Sequence, residues 1–217
     1  MRNRMDYDAV VFDMDGVIFD SERAVMQCWK ELAEKYQIPD IEQTMKRTRE
    51  IMLETYGADF PYDTYAKESS AIYHSRYDGG RLPMKPGVVE LLTFLKEEGK
   101  KIALASSTRR QTVTNQLRDA GILDFFDQVI CGDMVERSKP APDIFLKACE
   151  TLGVNPEHAY AIEDSYNGIR AAHAGKLHPI MVPDLLPETA EMQEKAEVVL
   201  PSLFEVISYL EGDCHGV

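Results

Sequence analysis

Apolar residues fall along this chain in two rhythms. The first is a short unbroken run: Ala9–Phe12, Lys101–Ala105, Gln128–Cys131, Ala159–Ile162 and His178–Val182. These runs stop at Asp13, Ser106, Gly132, Glu163 and Pro183 in turn. Short apolar runs bounded in this way predict strands buried on both faces. The second rhythm has helical spacing. Val88, Leu91, Leu92 and Leu95 share one face and Gly99 follows; Val113 and Leu117 recur after Arg109 and precede Gly121. Asp143–Leu152 has Pro142 at its start and Gly153 at its end, and Ile169, Ala171, Ala172 and Ala174 precede Gly175. Proline before a helix and glycine after it are the usual boundary residues.

Strands that alternate with helices predict an α/β fold, a Rossmann-like parallel sheet with helices on both faces. The rhythm breaks after the first strand. Residues 21–83 hold a helical stripe at Val25, Cys28, Trp29, Leu32 and Tyr36 and a weaker one at Tyr65, Ile72, Tyr73 and Tyr77, with no strand pattern. Asp78-Gly79-Gly80 and Pro83 mark an exit. The expected organisation is an α/β core of residues 1–20 and 84–217 and a small all-helical insertion at 21–83.

The chain has 217 residues and a formal net charge of -13. The length suits one domain with a small insertion, and the charge argues against a nucleic-acid partner. The densest basic cluster, Lys46-Arg47-Thr48-Arg49, is flanked by Glu42 and Glu50. An acidic chain attracts anions poorly at long range, so any anion site must be built locally from a cation, a lysine and backbone N–H groups. The four cysteines, Cys28, Cys131, Cys149 and Cys214, form no paired or metal-binding spacing, which predicts reduced, buried thiols. No apolar stretch approaches the ~20 residues of a membrane helix. A soluble, cytoplasmic monomer is expected.

Four places carry candidate chemistry. Asp13-Met14-Asp15-Gly16 follows the first strand directly. In an extended chain the two aspartates point apart, and Gly16 allows the turn that brings both to one space. Counting Asp13 as the first residue of a calcium loop puts the last ligand on Ala24, which rules that reading out. Turn aspartates capping a helix remain the plain alternative. Glu163-Asp164 ends another strand, either as an acidic helix start or as a second carboxylate pair. If the strand ends converge, mutual repulsion raises carboxyl pKa values unless a cation intervenes. Magnesium suits such hard oxygen donors. Ser106 and Ser107, before a predicted helix, offer an anion site or a simple cap. Lys139 leaves a loop stiffened by Pro140 and Pro142, as a positioned cation or a solvated lysine.

In order and spacing these segments resemble the motifs of haloacid dehalogenase superfamily phosphatases. DMDGVIFDSE at 13–22, LASST at 104–108, SKPAPDIF at 138–145 and EDSYNGIRAA at 163–172 carry the resemblance. The subgroup is the β-phosphoglucomutase-like phosphatases, whose helical cap belongs where the insertion is predicted. The resemblance implies that Asp13 is a nucleophile forming an aspartyl-phosphate and that Asp15 is the general acid and base. It implies Mg2+ held by Asp13, the Asp15 backbone carbonyl and Asp164, with Glu163 bound directly or through water. Ser106, Ser107 and Lys139 are the implied phosphate binders, and a small phosphate monoester of the sugar-phosphate class is the implied substrate.

β-Phosphoglucomutases carry a cap histidine shortly after the first motif. Here the stretch Arg23–Trp29 has none, which favours hydrolysis over a sugar-phosphate mutase. Arg47 and Arg49 are candidate substrate contacts from the cap, against a plain solvated helix face. A non-catalytic phosphometabolite binder is the alternative from another class; it has no need of a nucleophile.

Overall fold

A computed structural model describes residues 6–39, 41 and 49–212. In chain order these form β1 (Ala9–Phe12), α1 (Ser21–Tyr36), α2 (Arg49–Tyr56), α3 (Tyr62–Tyr77), α4 (Val88–Glu97), β2 (Lys101–Ser106) and α5 (Arg110–Asp119). There follow β3 (Gln128–Cys131), α6 (Asp143–Leu152), β4 (Ala159–Glu163), α7 (Tyr166–Ala174), β5 (His178–Met181), α8 (Ala190–Lys195), β6 (Val198–Val199) and α9 (Leu203–Glu211). The strands pair in the order β3-β2-β1-β4-β5-β6, and every pairing is parallel.

Alternation along each strand sends side chains to both faces. Val10 and Phe12 join Leu104, Ile162 and Ile180 under α4 and α9, which bury Leu91, Leu92, Leu95, Val206 and Leu210. Ala9, Val11, Ala103 and Ala161 face the other way, under Phe145 and Ala148 of α6 and Ala171 and Ala172 of α7. The alanines on this second face let the helices approach closely. The expected α/β sheet is therefore present, with an additional strand. Val198–Val199 is too short to carry a pattern, and it pairs only with Ile180 and Met181. Helix α9 has regular spacing at Leu203, Val206 and Leu210, is capped by Ser202 and stops at Gly212, where φ is 85°.

Between β1 and α4 the regular elements among the described residues are all helices, with no strand. Trp29, Leu32, Ala33, Ile41, Met52 and Tyr65 form a hydrophobic cluster of their own. Two connecting segments join this insert to the sheet and run against each other. Asp20 N–H donates to Pro83 O at 2.9 Å, and Lys85 N–H donates to Ile18 O at 2.8 Å. Cys28, Cys131 and Cys149 are free and buried, and Cys214 lies outside the described residues. Among the described residues, no helix is long and apolar enough to cross a membrane.

Candidate active site

The carboxyl ends of β1 and β4 lie side by side, because Phe12 pairs with Ile162 in register. Asp13 N–H continues that ladder to Ile162 O at 2.9 Å. The next residues on the two strands are therefore forced together. Oxygens of Asp13, Glu163 and Asp164 lie within 4.8 Å of one another, and all three residues are buried. Lys139 enters from the loop between β3 and α6, where the Lys139–Pro140 peptide is cis. Its Nζ donates to Asp13 Oδ1, to Glu163 Oε1 at 2.6 Å and to Ala105 O at 2.9 Å. The Lys139 side chain is 7% exposed, which answers the question left open by the sequence: it is a positioned cation.

Burial pushes the Asp13 carboxyl up to about 8; Lys139 opposes the shift, while Glu163 and Asp15 add to it. Burial also lifts Asp164, to about 9, with help from Glu163, Asp13 and Asp184. At Lys139 burial works against the charge, but Asp13 and Glu163 outweigh it and hold the pKa above the ordinary lysine value. One lysine thus faces more carboxylate charge than it can neutralise. Hard, crowded oxygens with an unmet need for positive charge fit a small divalent cation.

Glu163 is the most fully engaged of the three. Its Oε2 accepts from Asp164 N–H and Ser165 N–H, each at 3.1 Å, and from Ser165 Oγ at 3.0 Å. Two glycines make the crowding feasible. A Cβ at Gly168 would lie 1.8 Å from the Glu163 carboxyl carbon, and one at Gly16 would lie 2.3 Å from Asp164 Oδ2.

Asp15 stands apart from the three-carboxylate group. Its Oδ1 accepts from Ser21 Oγ at 2.6 Å and its Oδ2 from Thr108 Oγ1 at 3.2 Å. Ser106 is fully buried at the end of β2, and its Oγ accepts from Thr108 N–H at 3.1 Å. Ser107 is exposed on the same turn. The first N–H of α5 is occupied, since Arg110 N–H donates to Asp133 at 3.2 Å. Arg49 is exposed and lies 3.6 Å from Asp63 within the insert. Arg47 lies outside the described residues. Sequence reasoning passed over Ser21, Ser165, Gly168 and Asp184. The first three sit inside the quoted motif segments, so only their contacts were hidden. A cavity lined by Phe19, His74, Tyr77 and Gln116 opens between α3 and α5, and the clustered carboxylates do not line it.

The chain matches the haloacid dehalogenase-like hydrolase model over residues 7–176. It is 32% identical over 213 residues to a phosphorylated carbohydrates phosphatase of Thermotoga maritima, covering 94% of this chain and 98% of that protein. It is 35% identical over 189 residues to a beta-phosphoglucomutase of Bacillus subtilis, covering 80% and 82%. Among solved structures, a HAD family hydrolase of Deinococcus radiodurans R1 with bound phosphate and sodium superposes with a TM-score of 0.80. That pair shares 26% identity and covers 96% of each chain.

Proposed function

The chain belongs to the haloacid dehalogenase-like hydrolases and is a phosphatase-type enzyme; from that premise we propose that it hydrolyses a small phosphate monoester, a sugar phosphate by class, through an aspartyl-phosphate on Asp13. The observation that carries this reading is the convergence of Asp13, Glu163, Asp164 and Lys139 at the carboxyl ends of β1 and β4. A family relative that acts on phosphorylated carbohydrates supports the substrate class.

In the first step an Asp13 oxygen attacks phosphorus and the bond to the ester oxygen breaks. The leaving alkoxide takes a proton from Asp15. In the second step water attacks phosphorus, Asp15 accepts its proton, and Asp13 departs as carboxylate with release of phosphate. Lys139 neutralises charge on the transferring group, and Ser106, with the exposed Ser107 turn, binds its oxygens. Asp15 is held as an acceptor by Ser21, the first residue of α1, and by Thr108. Its release for proton transfer therefore depends on where the helical insert, read as a cap over residues 21–83, sits. Mg2+ would be held by Asp13, the Asp15 backbone carbonyl and Asp164, with Glu163, whose oxygens are already engaged, helping through water. When bound, it supplies charge neutralisation to the phosphoryl oxygens. Arg49 and Arg47 stay candidates for substrate contact. The reading is of a cytoplasmic monomer that works without nucleic acid or membrane.

Asp13→Asn is expected to abolish turnover of p-nitrophenyl phosphate while far-UV circular dichroism is unchanged. Activity should vanish in a chelator and return with Mg2+. Turnover by Asp13→Asn at the wild-type rate removes Asp13 as nucleophile, and full activity in chelator removes the cation. The 35% identity to a beta-phosphoglucomutase supports a second reading, a sugar-phosphate mutase. A β-hexose 1-phosphate separates the two: the 6-phosphate marks a mutase, free phosphate a hydrolase.

A further inference from the structure

Asp184 follows β5 at the same end of the sheet as the carboxylate cluster. The two are linked through the backbone, since Val182 N–H donates to Glu163 O at 2.8 Å. The Asp184 side chain is 1% exposed. Its Oδ1 takes two cations, one from each side of the junction with the helical insert. Arg23, in the first turn of α1, donates to it, and so does Lys85 Nζ at 2.6 Å, from the segment that returns to the sheet. Arg23 also donates to Asp20 at 2.8 Å. The second oxygen, Oδ2, is buried and has no hydrogen-bond partner.

A buried carboxylate oxygen without a donor is costly unless something outside the protein satisfies it. No structural need of the fold is met by Oδ2, because Oδ1 alone makes both ion pairs. We infer that Asp184 is a positioning residue joining two tasks: Oδ1 clasps the connecting segments of the insert through Arg23 and Lys85, and Oδ2 serves the hydration shell of the cation held by the neighbouring cluster. The inference rests on the cation reading of that cluster. It makes Arg23 and Lys85 counterweights. They mask the Asp184 charge, so each opposes the cation, while Asp184 favours it.

This opposition of sign separates the proposal from a purely structural strut. The experiment is calorimetric titration of Mg2+ into the substrate-free protein, with melting temperatures of each variant alongside. Asp184→Asn keeps the shape and an acceptor but removes the charge, and it should weaken Mg2+ binding by about tenfold, a typical size for close charges in a partly buried site. Lys85→Met should tighten binding by about threefold on the same grounds. Arg23→Gln, at a more exposed position, should shift it in the same direction. In the Asp184→Asn background Lys85→Met should have no further effect. Unchanged Mg2+ affinity in Asp184→Asn, with all variants merely melting lower, overturns the inference. So does a Lys85→Met effect that persists without Asp184. If the wild type itself takes up no Mg2+, the cation reading of the cluster fails and this inference falls with it.

Discussion

A methyl group at position 168 would land 1.8 Å from the Glu163 carboxyl carbon. Gly168→Ala is therefore expected to displace Glu163 and, with it, Lys139. A shift of about 1 Å can cost on the order of 10²-fold in rate, with about 1–3 kcal/mol of stability lost to overpacking. Steady-state kinetics and urea unfolding read both. The carboxylates make a second prediction. Asp13 and Asp164 hold protons up to about 8 and 9 in the folded, cation-free protein, against about 3.9 in an unfolded chain. Between those limits the folded state binds more protons. Its stability is fully present below the unfolded value and falls as pH rises through the folded ones. In chelator the melting temperature should drop from about pH 5 to about pH 9, Asp164→Asn should flatten the slope, and Mg2+ should restore most at the alkaline end. A slope unaffected by Asp164→Asn would contradict this account. The residues that end an apolar run, Asp13, Ser106 and Glu163, were legible in the sequence because the pattern change marks the strand end. Asp184 was not, because nothing in Val182-Pro183-Asp184 announces that a distant arginine and lysine meet there.

Helix α7 shows how an element can aim a side chain that is not part of it. Ser165 caps the helix by accepting from Gly168 N–H at 3.0 Å, and the same hydroxyl donates to Glu163. Ser165→Ala should cost about 1 kcal/mol from the lost cap and leave Glu163 with one donor fewer. Urea unfolding and the apparent Mg2+ affinity should therefore both fall; loss of stability with an unmoved affinity would confine Ser165 to the cap. At this scale the strands were the most readable parts, since parallel strands buried on both sides write themselves as unbroken apolar runs. Helix α6 matched its boundaries at Pro142 and Gly153 for the same kind of reason. Helix α2, by contrast, buries only Met52, too little apolar surface to stamp a periodicity, and β6 is an edge pair of valines that needs β5 beside it to be a strand.

The hydrophobic clusters of the sheet and of the helical insert are separate, although Ala24, Tyr73 and Tyr77 of the insert pack against the larger one. Trp29, the sole tryptophan, sits in the smaller cluster. With fewer buried side chains, the insert should loosen first. In urea the Trp29 fluorescence transition is expected at a lower midpoint than far-UV circular dichroism, and coincident curves would mean that the two parts unfold together. The helical stretch after β1 was visible in the sequence as a missing strand rhythm; how it attaches was not, because backbone hydrogen bonds leave no trace in residue type. Those attachments, Asp20 to Pro83 and Lys85 to Ile18, zip the outgoing and returning chains into one narrow ribbon. A ribbon flexes across its width far more easily than it slides along its length. Outgoing and returning chain must therefore bend together if the helices are to shift against the sheet.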